Sequence, residues 1–225
     1  EHAAKHLIRS MLPNGLEISE DVAGSAIVRK PGEKPGLTFF ASLSQPVVLV
    51  TGKKADGAWE LQPLGTGKTL EPMNGWKVMD SSGAQAELEV KDGELRLTED
   101  KGVQIGSLLT RQPDWTQDAL SVSCAGIEDR VGCWLLTELL REMPDVKAEI
   151  TCIFLAQEQH CTKVAELAMN ETDAAVAIRL GSANVNDINL TGAPVNAGGG
   201  PVLKLRERYV STDCLLYTSP SPRDT

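Results

Sequence analysis

Aromatic residues make up only 4% of this chain, so a core has to be filled by Val, Leu, Ile and Ala. Histidine occurs three times, as His2, His6 and His160. The five cysteines, Cys124, Cys133, Cys152, Cys161 and Cys214, include no C-x-x-C pair and are odd in number. That excludes a fully paired disulfide framework, and reduced thiols in a cytoplasmic protein are the expectation. Basic residues are outnumbered, 22 Lys and Arg against 31 Asp and Glu, for a net charge of −9. This argues against the basic face that non-specific nucleic-acid binding needs. No apolar run approaches the ~20 residues of a membrane span, so neither nucleic acid nor membrane is an expected partner. There is no G-x-S-x-G elbow and no Ser-His-Asp set in evident order. The stretch 64–69 ends like a phosphate-binding loop, but Gln62 stands where the first glycine belongs, and turn residues surround it. The first residue is Glu1, so the lack of a visible leader excludes nothing.

What is present suffices for folding: 41% of residues are hydrophobic and 24% charged, ordinary for a globular chain. Residues 1–13 read as a short helix with Leu7, Ile8, Met11 and Leu12 on one face. Residues 25–28 and 37–43 read as strands around a Pro- and Gly-rich turn at 31–36. From Pro46 to about Thr116 the texture becomes β: 47–51, 59–61, 86–90 and 94–98 are strand-like. Asp92-Gly93 supplies the positive φ of a tight hairpin. After Asp118 helices alternate with apolar strands. Residues 129–143 form a helix with Val131, Trp134, Leu135, Leu139 and Leu140 at helical spacing; 147–156 is a strand buried on both faces; 162–169 is a helix; 174–180 is another strand. Gly198-Gly199-Gly200 leads into a strand at 201–205; an anion cradle is conceivable there, a tight turn the commoner role. The alternation predicts an α/β fold with a mostly parallel sheet flanked by helices and a small inserted β-barrel domain. The division is 1–45 and 118–213 for the α/β domain and 46–117 for the insert. Residues 214–225 break with the rest and read as a linker scar or disordered tail.

The segment Gly126-Ile127-Glu128-Asp129-Arg130-Val131-Gly132, followed by an apolar helix and then Phe154-Leu155-Ala156-Gln157-Glu158-Gln159, resembles the tetrahedral aminopeptidases, also called glutamyl aminopeptidases. Their motifs read Asp-Asp-Arg-apolar-Gly and, one helix and one strand later, Gln-Glu-Glu. The resemblance covers roughly residues 1–213, is clearest over 126–205 and weak through the insert. It implies a peptidase of N-terminal residues built around two metal ions, zinc or cobalt, with a β domain that pairs subunits into larger oligomers. It also implies a metal-binding His in a C-terminal part that has no counterpart here.

Carried over position by position, the resemblance places Glu158 at the general base. Glu128 falls on the bridging carboxylate, and Asp129 on the Asp that follows it. It also exposes departures. Ser42 stands for a metal-binding His, Ser44 for the Asp that orients it, Gln45 for Glu, Gln159 for a ligand Glu and Arg179 for a ligand Asp. A hydroxyl or an amide is a poor zinc ligand beside imidazole, thiolate or carboxylate, and a guanidinium stays charged and binds no cation. Asp129 also reads as an N-cap for the helix it opens, and capping is favoured over metal bridging. His2 and His6, four apart, suit metal in principle but more often mark a solvated face; His160 is a substitute ligand or plain polar surface. The expectation is therefore a degenerate metal site with no metal bound, or a divalent ion if the enzyme is active. Little or no activity and self-association follow, with peptides as the other partner. Two alternatives stay open: a working metallo-aminopeptidase with an altered site, and a non-enzymatic peptide-binding or assembly subunit.

Overall fold

A computed structural model describes residues 2–65, 70–161, 163–183 and 196–202. The chain divides into two units, Glu1–Gly181 and Ser182–Thr225. In the second, residues 196–200 form a turn: Gly199 N donates to Asn196 O at 3.1 Å, and Gly198 and Gly200 have φ of 75° and 95°. The expected strand at 201–205 and the tail at 214–225 lie mostly outside the described residues, as do residues 66–69 of the phosphate-loop look-alike.

The first unit opens with α1 (His2–Met11). Ala4 and Ile8 form its inward stripe, continued by Leu12 just past its end, whereas Leu7 and Met11, expected there, are exposed at 62% and 38%. Strands β1 (Glu17–Glu20) and β2 (Ala26–Lys30) pair antiparallel. Asp21 closes their connection, its Oδ1 accepting from Ala23 N at 2.9 Å and Ser25 N at 2.8 Å. Strand β3 (Glu33–Ser42) follows. It begins four residues earlier than the sequence suggests, and the turn shrinks to Pro31-Gly32.

Six strands come next: β4 (Val47–Lys53), β5 (Trp59–Leu64), β6 (Lys77–Met79), β7 (Gln85–Lys91), β8 (Glu94–Lys101) and β9 (Leu108–Arg111), in the order β5-β4-β9-β6-β7-β8. Their inner face is packed by Val48, Val50, Met73, Val78, Leu88, Leu95 and Leu109. The hairpin at Asp92-Gly93 has the expected positive φ, 55° and 76°. The sheet curls until its edges meet through side chains. Trp59 Nε1 donates to Asp100 Oδ2, and Lys54 Nζ lies 3.0 Å from Glu94 Oε2. The result is nearly a barrel.

A two-stranded ribbon, β10 (Thr116–Gln117) and β11 (Val122–Ser123), leads to α2 (Ile127–Glu142), β12 (Ala148–Leu155), α3 (Lys163–Met169) and β13 (Ala174–Arg179). The second sheet runs β1-β2-β12-β3-β13. The expectation of a mostly parallel sheet is corrected here. β12 and β13 run parallel to β3, but β2 runs antiparallel to both β1 and β12. A strand buried on both faces looks the same in either direction. Only connection length sets direction: two residues between β2 and β3 cannot make the dozen-residue crossover a parallel pair needs. Alternation sorts the side chains. Val28, Cys152 and Phe154 pack with Ile8, Leu136 and Leu140 under α1 and α2, while Ile27, Ile153 and Leu155 pack with Val164 and Ala168 of α3. Close strand approach depends on Gly32, where a Cβ would lie 2.4 Å from the Ala148–Glu149 peptide.

Helix α2 also differs from expectation. Its buried face is Gly132, Cys133, Leu136, Thr137 and Leu140. Val131, Trp134 and Leu135 are exposed at 38%, 54% and 43%.

Candidate functional site

Parallel strands β3, β12 and β13 deliver their carboxyl ends to one edge of the sheet, where α/β folds gather ligands. Leu155 is in register with Ser42, and Arg179 with Phe40. The N-terminus of α2 is held over the same edge by Gly132. A Cβ there would fall 2.7 Å from Leu180 O and 3.0 Å from the Ala41 Cβ, so a larger residue would push the helix off the strand ends. Four stretches far apart in sequence thus meet: 42–45, 128–133, 157–160 and 179–180.

Their contacts form three polar groups, joined to one another through neighbouring residues of the chain. Arg179 Nη2 donates to both carboxylate oxygens of Glu158, at 3.1 and 3.3 Å. Gln159 Nε2 donates to Asp129 Oδ2 at 2.8 Å. Gln159 N donates to Ser44 Oγ at 2.8 Å, and Ser44 Oγ lies 3.0 Å from Ser42 Oγ. Both serines are 1% exposed. Cys133 Sγ donates to Ser42 O at 3.0 Å, and Arg130 Nη2 to Gln45 Oε1 at 3.2 Å. Glu158 follows Gln157, whose φ of 56° is left-handed and whose Nε2 is anchored on Ala23 O at 2.9 Å. Such backbone costs energy and is found where a side chain has to be aimed.

The capping role expected of Asp129 is corrected. The N-cap is Gly126, with φ 71° and no side-chain cap, so Asp129 is the third helical residue. Its half-buried carboxyl turns to Gln159 instead. Burial, first, pushes the Asp129 carboxyl above its ordinary range; the Gln159 bond and Arg179 oppose this, and Glu158 and Glu128 add to it. Glu128 is exposed. Burial pushes the Cys133 thiol up to about 12, so it stays protonated and is no nucleophile.

His160 is exposed and does not join these polar groups; a Cβ on Gly65 would meet its Nδ1 at 3.3 Å and the Gln159 Cβ at 2.8 Å. The end of the barrel therefore borders the site, which sequence reasoning missed. Cys133 and the Gln45–Arg130 contact were missed too; the i, i+4 step from Asp129 to Cys133 was the available signal. Among the described residues, no group of three His, Cys, Asp or Glu side chains comes together as a metal ion would require.

The model of the M42 glutamyl aminopeptidases matches residues 85–218, more than half of the chain. The chain belongs to the M42 glutamyl aminopeptidase family. Solved structures agree on the fold. A TET aminopeptidase from a marine-sediment thaumarchaeote is 15% identical over 88% of this chain and 64% of its own, with a TM-score of 0.75. An endoglucanase from Thermotoga maritima is 18% identical over 83% and 62%, at 0.68. The Pyrococcus horikoshii TET1 peptidase, which can assemble into a tetrahedron or a large octahedral shell, is 18% identical over 79% and 62%, at 0.65. This M42 chain thus spans less than two thirds of the length of these relatives. No curated protein matches it. Among the described residues no helix is long and apolar enough to cross a membrane.

Proposed function

We propose that this M42 chain keeps the family's peptide-handling fold but has lost its two-metal centre, and that it acts in peptide binding or subunit assembly with little or no hydrolysis. The Arg179–Glu158 ion pair at 3.1 Å carries this reading. The side chain at a family ligand position is a cation, and it is bound to the carboxylate at the general-base position. With Ser42 buried against Ser44, and Gln159 spending its amide on Asp129, the donor set does not fit two divalent ions. Glu128 and Asp129 are the remaining candidate ligands, too few for a tetrahedral site. Residues 46–117 are the assembly module in this reading, inserted between 1–45 and 118–213. The chain pairs with itself, as the shell-forming relative does, in the cytoplasm.

A second reading, a working metallo-aminopeptidase with zinc or cobalt, is favoured by one observation: Asp129 and Glu158 are still neighbours at the strand ends. Elemental analysis after dialysis and an assay of N-terminal residue release separate the two. The proposal expects no retained zinc or cobalt and no metal-stimulated turnover. Retained metal with turnover that Glu158→Gln abolishes would establish the second reading.

A further inference from the structure

We infer that Arg179 is a tethered cation occupying the place of a free divalent ion, so that removing its guanidinium turns Glu158, Asp129 and the Gln159 amide into a cation-binding set. This rests on the metal-poor reading above and goes beyond it, because it says what keeps a metal out and what would let one in. Arg179 and Glu158 are both largely withdrawn from water, with side chains 29% and 19% exposed. Asp129 is half-buried beside them, bridged by Gln159, the next residue after Glu158. Two carboxylates drawn out of water need a compensating positive charge. Arg130, the cation next to Asp129 in the chain, reaches Gln45 Oε1. The guanidinium of Arg179 supplies the charge from β13, a strand locked onto β3 where Leu180 N donates to Phe40 O at 2.8 Å. A hard divalent ion is the other way to supply it. Carboxylate and amide oxygens are the donors such ions take, and turning the Gln159 amide over would offer its oxygen.

The test uses the purified chain, with Mn²⁺ as the probe. Thermal midpoints are read in EDTA and in millimolar Mn²⁺, and binding is read as loss of the free-ion signal in electron paramagnetic resonance. Wild type and Arg179→Lys should be indifferent to Mn²⁺. Arg179→Ala should melt several degrees lower in EDTA, regain most of that in Mn²⁺ and remove Mn²⁺ from solution saturably. Arg179→Ala combined with Glu158→Gln should lose the response. Should Arg179→Ala fail to fold in EDTA, it should fold in Mn²⁺; failure in both would sink the inference. So would an Arg179→Ala chain that ignores Mn²⁺, or a double variant that responds as the single one does. Tight Mn²⁺ binding by wild type would instead overturn the metal-poor reading itself.

Discussion

Asp80 shows how much one carboxylate organises. Its Oδ1 accepts from Ser82 N at 2.8 Å, Ser82 Oγ at 2.7 Å and Ala84 N at 3.0 Å, and its Oδ2 from Ser107 Oγ at 2.8 Å. These bonds, the Ser82 hydroxyl foremost, hold the carboxyl below its ordinary range against burial, which raises it. The unfolded chain therefore binds this proton more tightly. The stabilisation is complete above the unfolded value of about 3.9 and fades as pH falls through the lower folded one. Asp80→Asn should cost about 1 kcal/mol near neutral pH, discounted for partial exposure. In urea unfolding, the gap to wild type should narrow below about pH 4; a gap that ignores pH would show that the charge is not its source. The thiols give a second check. Burial pushes Cys133 and Cys152 up to about 12, whereas Cys161 is exposed. Iodoacetamide on the native chain should label Cys161 and spare the other two, and comparable labelling of Cys133 would mean that α2 lifts from the sheet. The resemblance named the stretches around Ser42, Asp129, Glu158 and Arg179, and the structure brings those stretches to one edge of the sheet. The partners were not legible in the sequence. Asp129 satisfies a capping pattern equally well, and only Gly126 with its left-handed φ, which starts α2 two residues earlier, frees the carboxyl for Gln159.

Helix α2 carries the same lesson at the scale of an element. Its sequence offers two apolar stripes, and the larger side chains, Val131, Trp134 and Leu135, suggest the wrong one. The choice is made by Gly132 and Cys133, small residues that let the helix settle on Ala41 and Leu180. Size on one face loses to close approach on the other. Leu136, fully buried, should lose about 2–5 kcal/mol on substitution by Ala, while Trp134→Ala should cost well under half as much; equal losses would put the wrong face inward. Gly132→Ala sets intrinsic preference against packing. Helix propensity favours Ala by about 1 kcal/mol, but the added Cβ meets Leu180 O at 2.7 Å. The variant should be less stable than wild type by thermal unfolding, and a stabilised one would refute the packing argument. Across the fold, long periodic segments such as β12 and the β7–β8 hairpin were readable. Strands of two to four residues, β1, β6, β9 and the ribbon, were not, because they form only through partners distant in sequence.

For the whole molecule, the proposed loss of the metal centre leaves open what the chain would still do, and self-association through residues 46–117 is the proposed answer. The barrel is poorly suited to pairing by strand addition, since its edge strands β5 and β8 are already joined by Trp59–Asp100, with Lys54 of the β4–β5 turn pairing Glu94 of β8 beside them. An association surface has to be a face instead. The exposed large apolar side chains within this stretch are Ile105 at 65%, Leu108 at 51% and Trp115 at 63%, all in one short segment at and beside β9. Burying such groups yields about 25 cal/mol per Å², and a stable pair buries about 1,000 Å² or more in total, so this segment would have to lie at the centre of a broader contact. Light scattering at micromolar concentration should therefore report a species larger than the monomer. Ile105→Lys with Leu108→Lys should return it to the monomer without moving the thermal midpoint of the monomer, because neither residue belongs to the barrel core. A strictly monomeric wild-type chain would remove the assembly role, and an oligomer that survives the double substitution would place the contact on another surface.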